Sequence, residues 1–211
     1  LDGMAFMRSP NSTWAENDRG FTFAEDAAAI DWMRANISGN PIVLETHLEA
    51  YRWGGRGSIY TGLPTLLGWP WHMQQQRSAA DGGPIIAARQ ALIPELYNSA
   101  DPVETLRLLR LYGVEYVYVG QLERAVYAAA GLAKFDALAA AGQIEMVYSA
   151  GETRIYRVPA SELPPAVLTT SLPVRAPAPE PRNDLMLPVR VGDLPPVGHH
   201  GWNSLAANPF V

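Results

Sequence analysis

Residues Asp101–Val119, DPVETLRLLRLYGVEYVYV, decide the fold class. Asp101 has the chemistry of an N-cap, Pro102 suits the first helical position, and Glu104 puts negative charge in the first turn. Val103, Leu106, Leu109 and Tyr112 recur at helical spacing and predict one apolar stripe. Gly113 is a helix stop. Val114–Val119 then changes period to a β-branched and aromatic strand. A helix running directly into an apolar strand is an αβ unit, so the chain is expected to be an α/β domain. Its sheet should be central and mostly parallel, with helices on its faces.

Working outward, a second helix is expected at about Leu132 to Ala141, presenting Leu132, Phe135 and Leu138 and stopped by Gly142. Ile144–Ser149 and Thr153–Val158 read as strands joined at Ala150-Gly151, a closing hairpin. Upstream, Pro84 suits the first turn of a helix to about Tyr97, with Pro94 as a kink or break. Thr22 and Glu25 have capping-box spacing ahead of a helix from about Phe23 to Asn36. Ser38-Gly39-Asn40-Pro41 stops that helix, and Ile42-Val43-Leu44 signals a short buried strand. Were the strand to continue, Glu45, His47 and Glu49 would share one face. In the first twenty residues Met4, Phe6 and Met7 have packing chemistry, and Asn11 to Gly20 reads as loop.

The stretch Gly57–Arg77, GSIYTGLPTLLGWPWHMQQQR, stands apart. It holds no Asp, Glu, Lys or Arg until Arg77, and it carries Tyr60, Trp69 and Trp71. Pro64 and Pro70 rule out one long helix, so it reads as a loop with short helical turns.

The chain has 211 residues, enough for one substantial domain with an extension. Its formal net charge of −5 argues against nucleic acid as a partner. The lack of cysteine excludes disulfides, thiolate metal sites and a cysteine nucleophile. No run of 18 apolar residues is present to span a bilayer. The N-terminus is too short and polar for a signal peptide and reads as that of a fragment or processed piece. Ten of the 18 prolines lie between Pro159 and Pro196. The expected organisation is therefore a domain at 1–158, a proline-rich arm at 159–198 and a tail at 199–211. No G-x-S-x-G, P-loop or dinucleotide fingerprint is present.

Three phrases carry a family resemblance: TGLPTLLGWPWHMQQQR, LLRLYGVEYVYVGQLER and ETRIYRV. With LDGMAFM and AEDAAAIDWMRANI, they resemble the soluble segment of the YYY (Chlor-Arch YYY) multi-spanning membrane proteins over roughly residues 1–158. That family is similar to the C-type glycosyltransferases, which act on lipid-linked sugars at a membrane boundary. The resemblance implies an extracytoplasmic, non-catalytic domain at the cell membrane. It would bind glycan or polyprenyl-phosphate sugar, or cap the active site of the transmembrane part of the same protein. No cofactor and no metal are implied.

The residues themselves leave alternatives open. Tyr60, Trp69 and Trp71 have flat faces for stacking on sugars, or for packing the loop onto the core or a membrane interface. Glu45, His47 and His72 have acid-base or metal-ligating chemistry, without regular ligand spacing. Arg56 and Arg77 match phosphate bidentately, or else pair with Glu45 or Glu49. Gln75 and its neighbours Gln74 and Gln76 suit sugar hydroxyls. Glu123-Arg124 follows a strand end, where ligands often sit, and equally suits a helix cap. Tyr60, Trp69, His72 and Arg77 are expected on one concave surface near the C-terminal end of the sheet, with Glu45 and His47 close by. Two other functions fit the residues: a structural interaction module docking through the aromatic loop, and a stand-alone hydrolase using Glu45 and His47.

Overall fold

The computed structural model describes residues 3–77 and 82–160. The expected arm, from 161 onward, and the expected tail lie outside the described residues. After a 3-10 turn at Ala5–Arg8 the chain forms a hairpin of β1 (Thr13–Glu16) and β2 (Arg19–Thr22), where the sequence reads as loop. Asn17 and Asp18 both have positive φ, at 47° and 63°, which is the geometry of a two-residue I′ turn. Helix α1 (Ala24–Asn36) follows. The Thr22–Glu25 capping box does not form: the N-cap is Phe23, with no side-chain cap. Glu25 turns away and accepts from Glu152 N at 2.9 Å and Thr153 Oγ1 at 3.1 Å. A tertiary contact has taken the carboxylate that the local motif requires.

Strand β3 (Ile42–Leu44) leads into α2 (Arg56–Thr61), α3 (Pro70–Arg77), α4 (Gly82–Asn98) and α5 (Pro102–Leu111). Then come β4 (Val114–Val119), α6 (Gln121–Val126), α7 (Ala129–Ala140), β5 (Glu145–Ala150) and β6 (Thr153–Arg157). The second expected helix, α7, begins a turn before Leu132. The sheet has the order β3-β4-β6-β5. It opens with the parallel β3–β4 pair, and the closing β5–β6 hairpin adds two antiparallel pairings, so the whole is mixed. Val43 N also donates to Pro64 O at 2.8 Å, and Thr65 bridges Val43 on the outer side of β3.

The alternation VEYVYV places β4 between two layers. Val117 and Val119 join a core with residues of α4, α5 and α7, including Leu96, Leu109 and Phe135. Tyr116 and Tyr118 face the opposite side, with Ala29 and Met33 of α1 and Ile155 of β6. A strand buried on both faces is the usual lot of an inner strand next to a parallel neighbour. A third cluster packs Met4, Met7 and Phe23 against the far side of α1. Tyr97 of α4 ties helix to sheet, donating to Tyr118 O at 2.7 Å with Leu44 O at 3.2 Å.

Helix α5 starts as its sequence dictates, with Asp101 Oδ1 accepting from Val103 N and Glu104 N. Its apolar stripe is narrower than the spacing suggests. Leu106 and Leu109 are buried, whereas Val103 is 74% exposed. Helix α4 runs unbroken through Pro94. Pro94 cannot donate to the Gln90 carbonyl, a loss of about 3 kcal/mol in an isolated helix. Burial of Leu92, Ile93, Leu96 and Tyr97 on both sides of it holds the helix together.

Lys134 of α7 is buried, with Nζ donating to Tyr97 O at 3.0 Å and Gly131 O at 2.9 Å. It caps the C-terminal end of α4, where positive charge is favoured. Burial, with no carboxylate partner among the described residues, nevertheless pushes its pKa down to about 8. The unfolded chain then binds more protons than the folded one from about pH 8 up to the ordinary lysine value near ~10.4, so stability rises with pH across that window. Between pH 7.5 and 9.5, chemical denaturation should show the wild type gaining about 1–2 kcal/mol relative to Lys134→Met. Parallel stability curves for the two proteins would refute the assignment.

Candidate functional site

The C-terminal end of the parallel β3–β4 pair is where the chain concentrates its polar chemistry. Strand β3 stops at Leu44, so Glu45, His47 and Glu49 do not share a strand face as expected. Glu45 turns inward, and its carboxylate accepts from Gly57 N at 2.6 Å and Ser58 N at 2.8 Å, in the first turn of α2. Burial raises its pKa, opposed by Arg56 and by the two backbone donors. Both oxygens are engaged, which removes Glu45 from the acid-base role considered for it and from contact with a ligand.

Arg56 is the centre of this buried network, at 1% exposure. Its guanidinium donates to Glu123 at 3.1 and 2.7 Å, and Nε lies 2.8 Å from Asp26 Oδ2. It also sits 4.7 Å over the Tyr118 ring. Asp26 accepts in addition from Trp53 Nε1 and Tyr118 OH, each at 2.7 Å. Glu123 accepts from Thr46 N at 3.1 Å and Gly120 N at 2.8 Å, so the helix-cap reading of Glu123 holds and is joined by an ion pair. Burial alone would raise the Glu123 pKa, but Arg56 and these donors together bring it below the usual glutamate value. Arg56 is thus a structural cation, and its expected grip on phosphate is withdrawn. Its partners are Asp26 and Glu123 rather than Glu45 or Glu49.

The same network pins the segment that follows β3. Thr46 is held through Glu123 and through its carbonyl, which accepts from Gly55 N at 2.9 Å. Gly54 packs so closely that a Cβ there would overlap the backbone nitrogen of Leu48. Beyond this anchor, His47, Leu48, Glu49 and Ala50 form one wall of a cavity of about 510 Å³. Pro70, Trp71 and Gln74 of α3 and Gln90 of α4 form the other wall. Trp71 is 56% exposed at the rim. No lysine or arginine lines the cavity among the described residues.

An aromatic cluster adjoins it. Tyr51 lies 5.0 Å from Trp69 and 5.3 Å from His72, and Trp71 lies 5.1 Å from His72, centroid to centroid. Tyr51 OH and His72 Nε2 are hydrogen-bonded at 3.1 Å. Tyr51 is 75% exposed and has φ +66°, a conformation costing a non-glycine residue on the order of 1 kcal/mol. His47 Nδ1, His72 Nδ1 and Trp69 Nε1 are buried with no hydrogen-bond partner among the described residues. Burial lowers the His47 pKa, keeping its imidazole neutral at neutral pH. No group of three or more His, Asp or Glu among the described residues is placed to hold a metal.

Of the expected site residues, His47 and Trp71 line the cavity, while Trp69 and His72 belong to the adjoining cluster. Gln74 takes the place given to Gln75, which is exposed elsewhere on α3. Tyr60 is elsewhere: it packs 6.0 Å from Trp53 beside the N-terminal cluster, because α2 turns that face toward α1. The Arg77 side chain lies outside what the structure describes. Sequence reasoning missed Tyr51 and Gln90. Tyr51 was detectable as an aromatic beside the Trp53-Gly54-Gly55 turn, whereas Gln90 carries no local signal within α4. No family model matches the chain, and no curated protein matches it.

Proposed function

We propose that this chain is a non-catalytic, glycan-binding domain of a membrane glycosyltransferase, and that the cavity between His47–Ala50 and α3 holds the sugar. The observation that carries this reading is an exposed indole, Trp71, at the rim of a cavity furnished with the Gln74 and Gln90 amides and the Glu49 carboxylate. A sugar ring offers apolar C–H faces to an indole, and its hydroxyls both donate and accept, as do primary amides. A volume of about 510 Å³ falls within the range of about 300–1,000 Å³ typical of small-molecule sites. The resemblance to the YYY membrane proteins supplies the setting: an extracytoplasmic domain serving or capping the transmembrane part of the same protein. Among the described residues no helix is long and apolar enough to cross a membrane.

Titration of the domain with neutral oligosaccharides, followed by protein-observed NMR, tests this. Signals of Trp71, Gln74 and Gln90 should shift, and Trp71→Ala should weaken binding about tenfold or more. The melting temperature should barely change, since the indole is largely outside the core. Unaltered binding in the variant would remove the reading. The exposure of Tyr51, Ile59 and Trp71 favours one alternative, a protein-docking module. That module would show no sugar-induced shifts at all.

A further inference from the structure

Resting on the glycan reading, the charge pattern of the same cavity narrows its ligand: we propose that the sugar bound there carries a free amino group. Among the described side chains, three arginines of the neighbouring segments are committed elsewhere. Arg56 is enclosed between Asp26 and Glu123. Arg52 pairs with Glu16, and Arg89 donates to Leu66 O. Among the described residues, the one formal charge lining the cavity is the carboxylate of Glu49, which is exposed and makes no ion pair with any of them.

A phosphate brought beside that carboxylate would meet repulsion, with no compensating cation among the described side chains. A neutral sugar would leave the carboxylate facing hydroxyls alone. An ammonium group suits the site better than either. It makes a charge-assisted hydrogen bond to Glu49, and the open face of Trp71 attracts a cation through the negative face of its π-system. The sugar ring that bears the amine covers the rest of the indole, and the Gln74 and Gln90 amides take its hydroxyls. The half-buried His47 imidazole, its pKa lowered by desolvation, adds no competing charge at neutral pH.

The test is calorimetric titration of the domain with three oligosaccharides matched in length and linkage and one anion. These are a β-1,4-linked glucosamine oligomer, its N-acetylated counterpart, the corresponding glucose oligomer, and glucose 1-phosphate. At about 50 mM salt, where charge contacts are weakly screened, the glucosamine oligomer should bind about tenfold or more tighter than its acetylated form. That gap should shrink as salt rises. Glu49→Gln should lower binding of the glucosamine oligomer to the level of the acetylated one, and Glu49→Lys should reverse the preference toward glucose 1-phosphate. Equal affinity for the three oligosaccharides, a gap that survives Glu49→Gln, or tightest binding of the phosphate would overturn the proposal while leaving a glycan site standing. Failure of all three oligosaccharides to bind would overturn the glycan reading itself.

Discussion

Replacing Arg56 by methionine should lower the unfolding free energy by about 3–5 kcal/mol at neutral pH, the usual cost of removing one partner from a buried ion pair. Methionine fills much of the volume, so the loss reports charge rather than a cavity. Asp26 and Glu123 would remain in the core, no longer facing a cation. The pH dependence gives a second signature. In the native protein Glu123 has a lowered pKa, so its contribution is present above the ordinary glutamate value and is lost as pH falls through the folded one. In the variant the Glu123 carboxyl, still buried but without its cation, should titrate above its ordinary value. Its folded state then binds more protons than its unfolded state, and acidification favours folding at this site. The stability gap between the proteins should therefore narrow from pH 7 toward pH 4.5, measured by urea unfolding at each pH. A gap of under about 1 kcal/mol at pH 7, or one that widens on acidification, would show that Arg56 is not the charge holding this core together.

The second large effect is expected from a single methyl group. Gly54→Ala places a Cβ against the backbone of His47 and Leu48, which cannot swing aside as a side-chain end can. Overpacking of this kind costs about 1–3 kcal/mol. Because the displaced backbone is the wall of the cavity, the sugar binding proposed for it should fall as well, although every lining side chain is unchanged. Gly3→Ala is the control, since a methyl there meets nothing within 4 Å. A Gly54→Ala protein with native stability and native sugar affinity would show that the wall is not set by this contact.

The elements whose causes are local were legible in the sequence. Asp101, Pro102 and Gly113 bracket a helix with side-chain and backbone chemistry of their own, and VEYVYV has no good conformation other than an inner strand. Shorter elements escaped. Helix α6 has six residues, too few for a periodic signal, and is started by Glu123 reaching back to Gly120 N. The β1–β2 hairpin rests on a two-residue turn, Asn17-Asp18, flanked by strands of only four residues. The site was half legible. Trp71 and His47, both singled out in the sequence, do line the cavity. Arg56 looks the same in sequence whether it meets a ligand or a carboxylate, and the partner that decides the matter, Glu123, is 67 residues away. Glu45 is a similar case: its role was settled by where the start of α2 happens to come in space.

The outer side of β3 has a further consequence. With Pro64 and Thr65 lying along it, that border of the sheet is already occupied, whereas among the described residues β5 is paired only on its β6 side. A sheet with two open borders can add copies at each and grow without limit; a sheet with one can add a single copy and is then complete. Strand-to-strand association of this sheet through β5 would accordingly end at a closed pair of molecules.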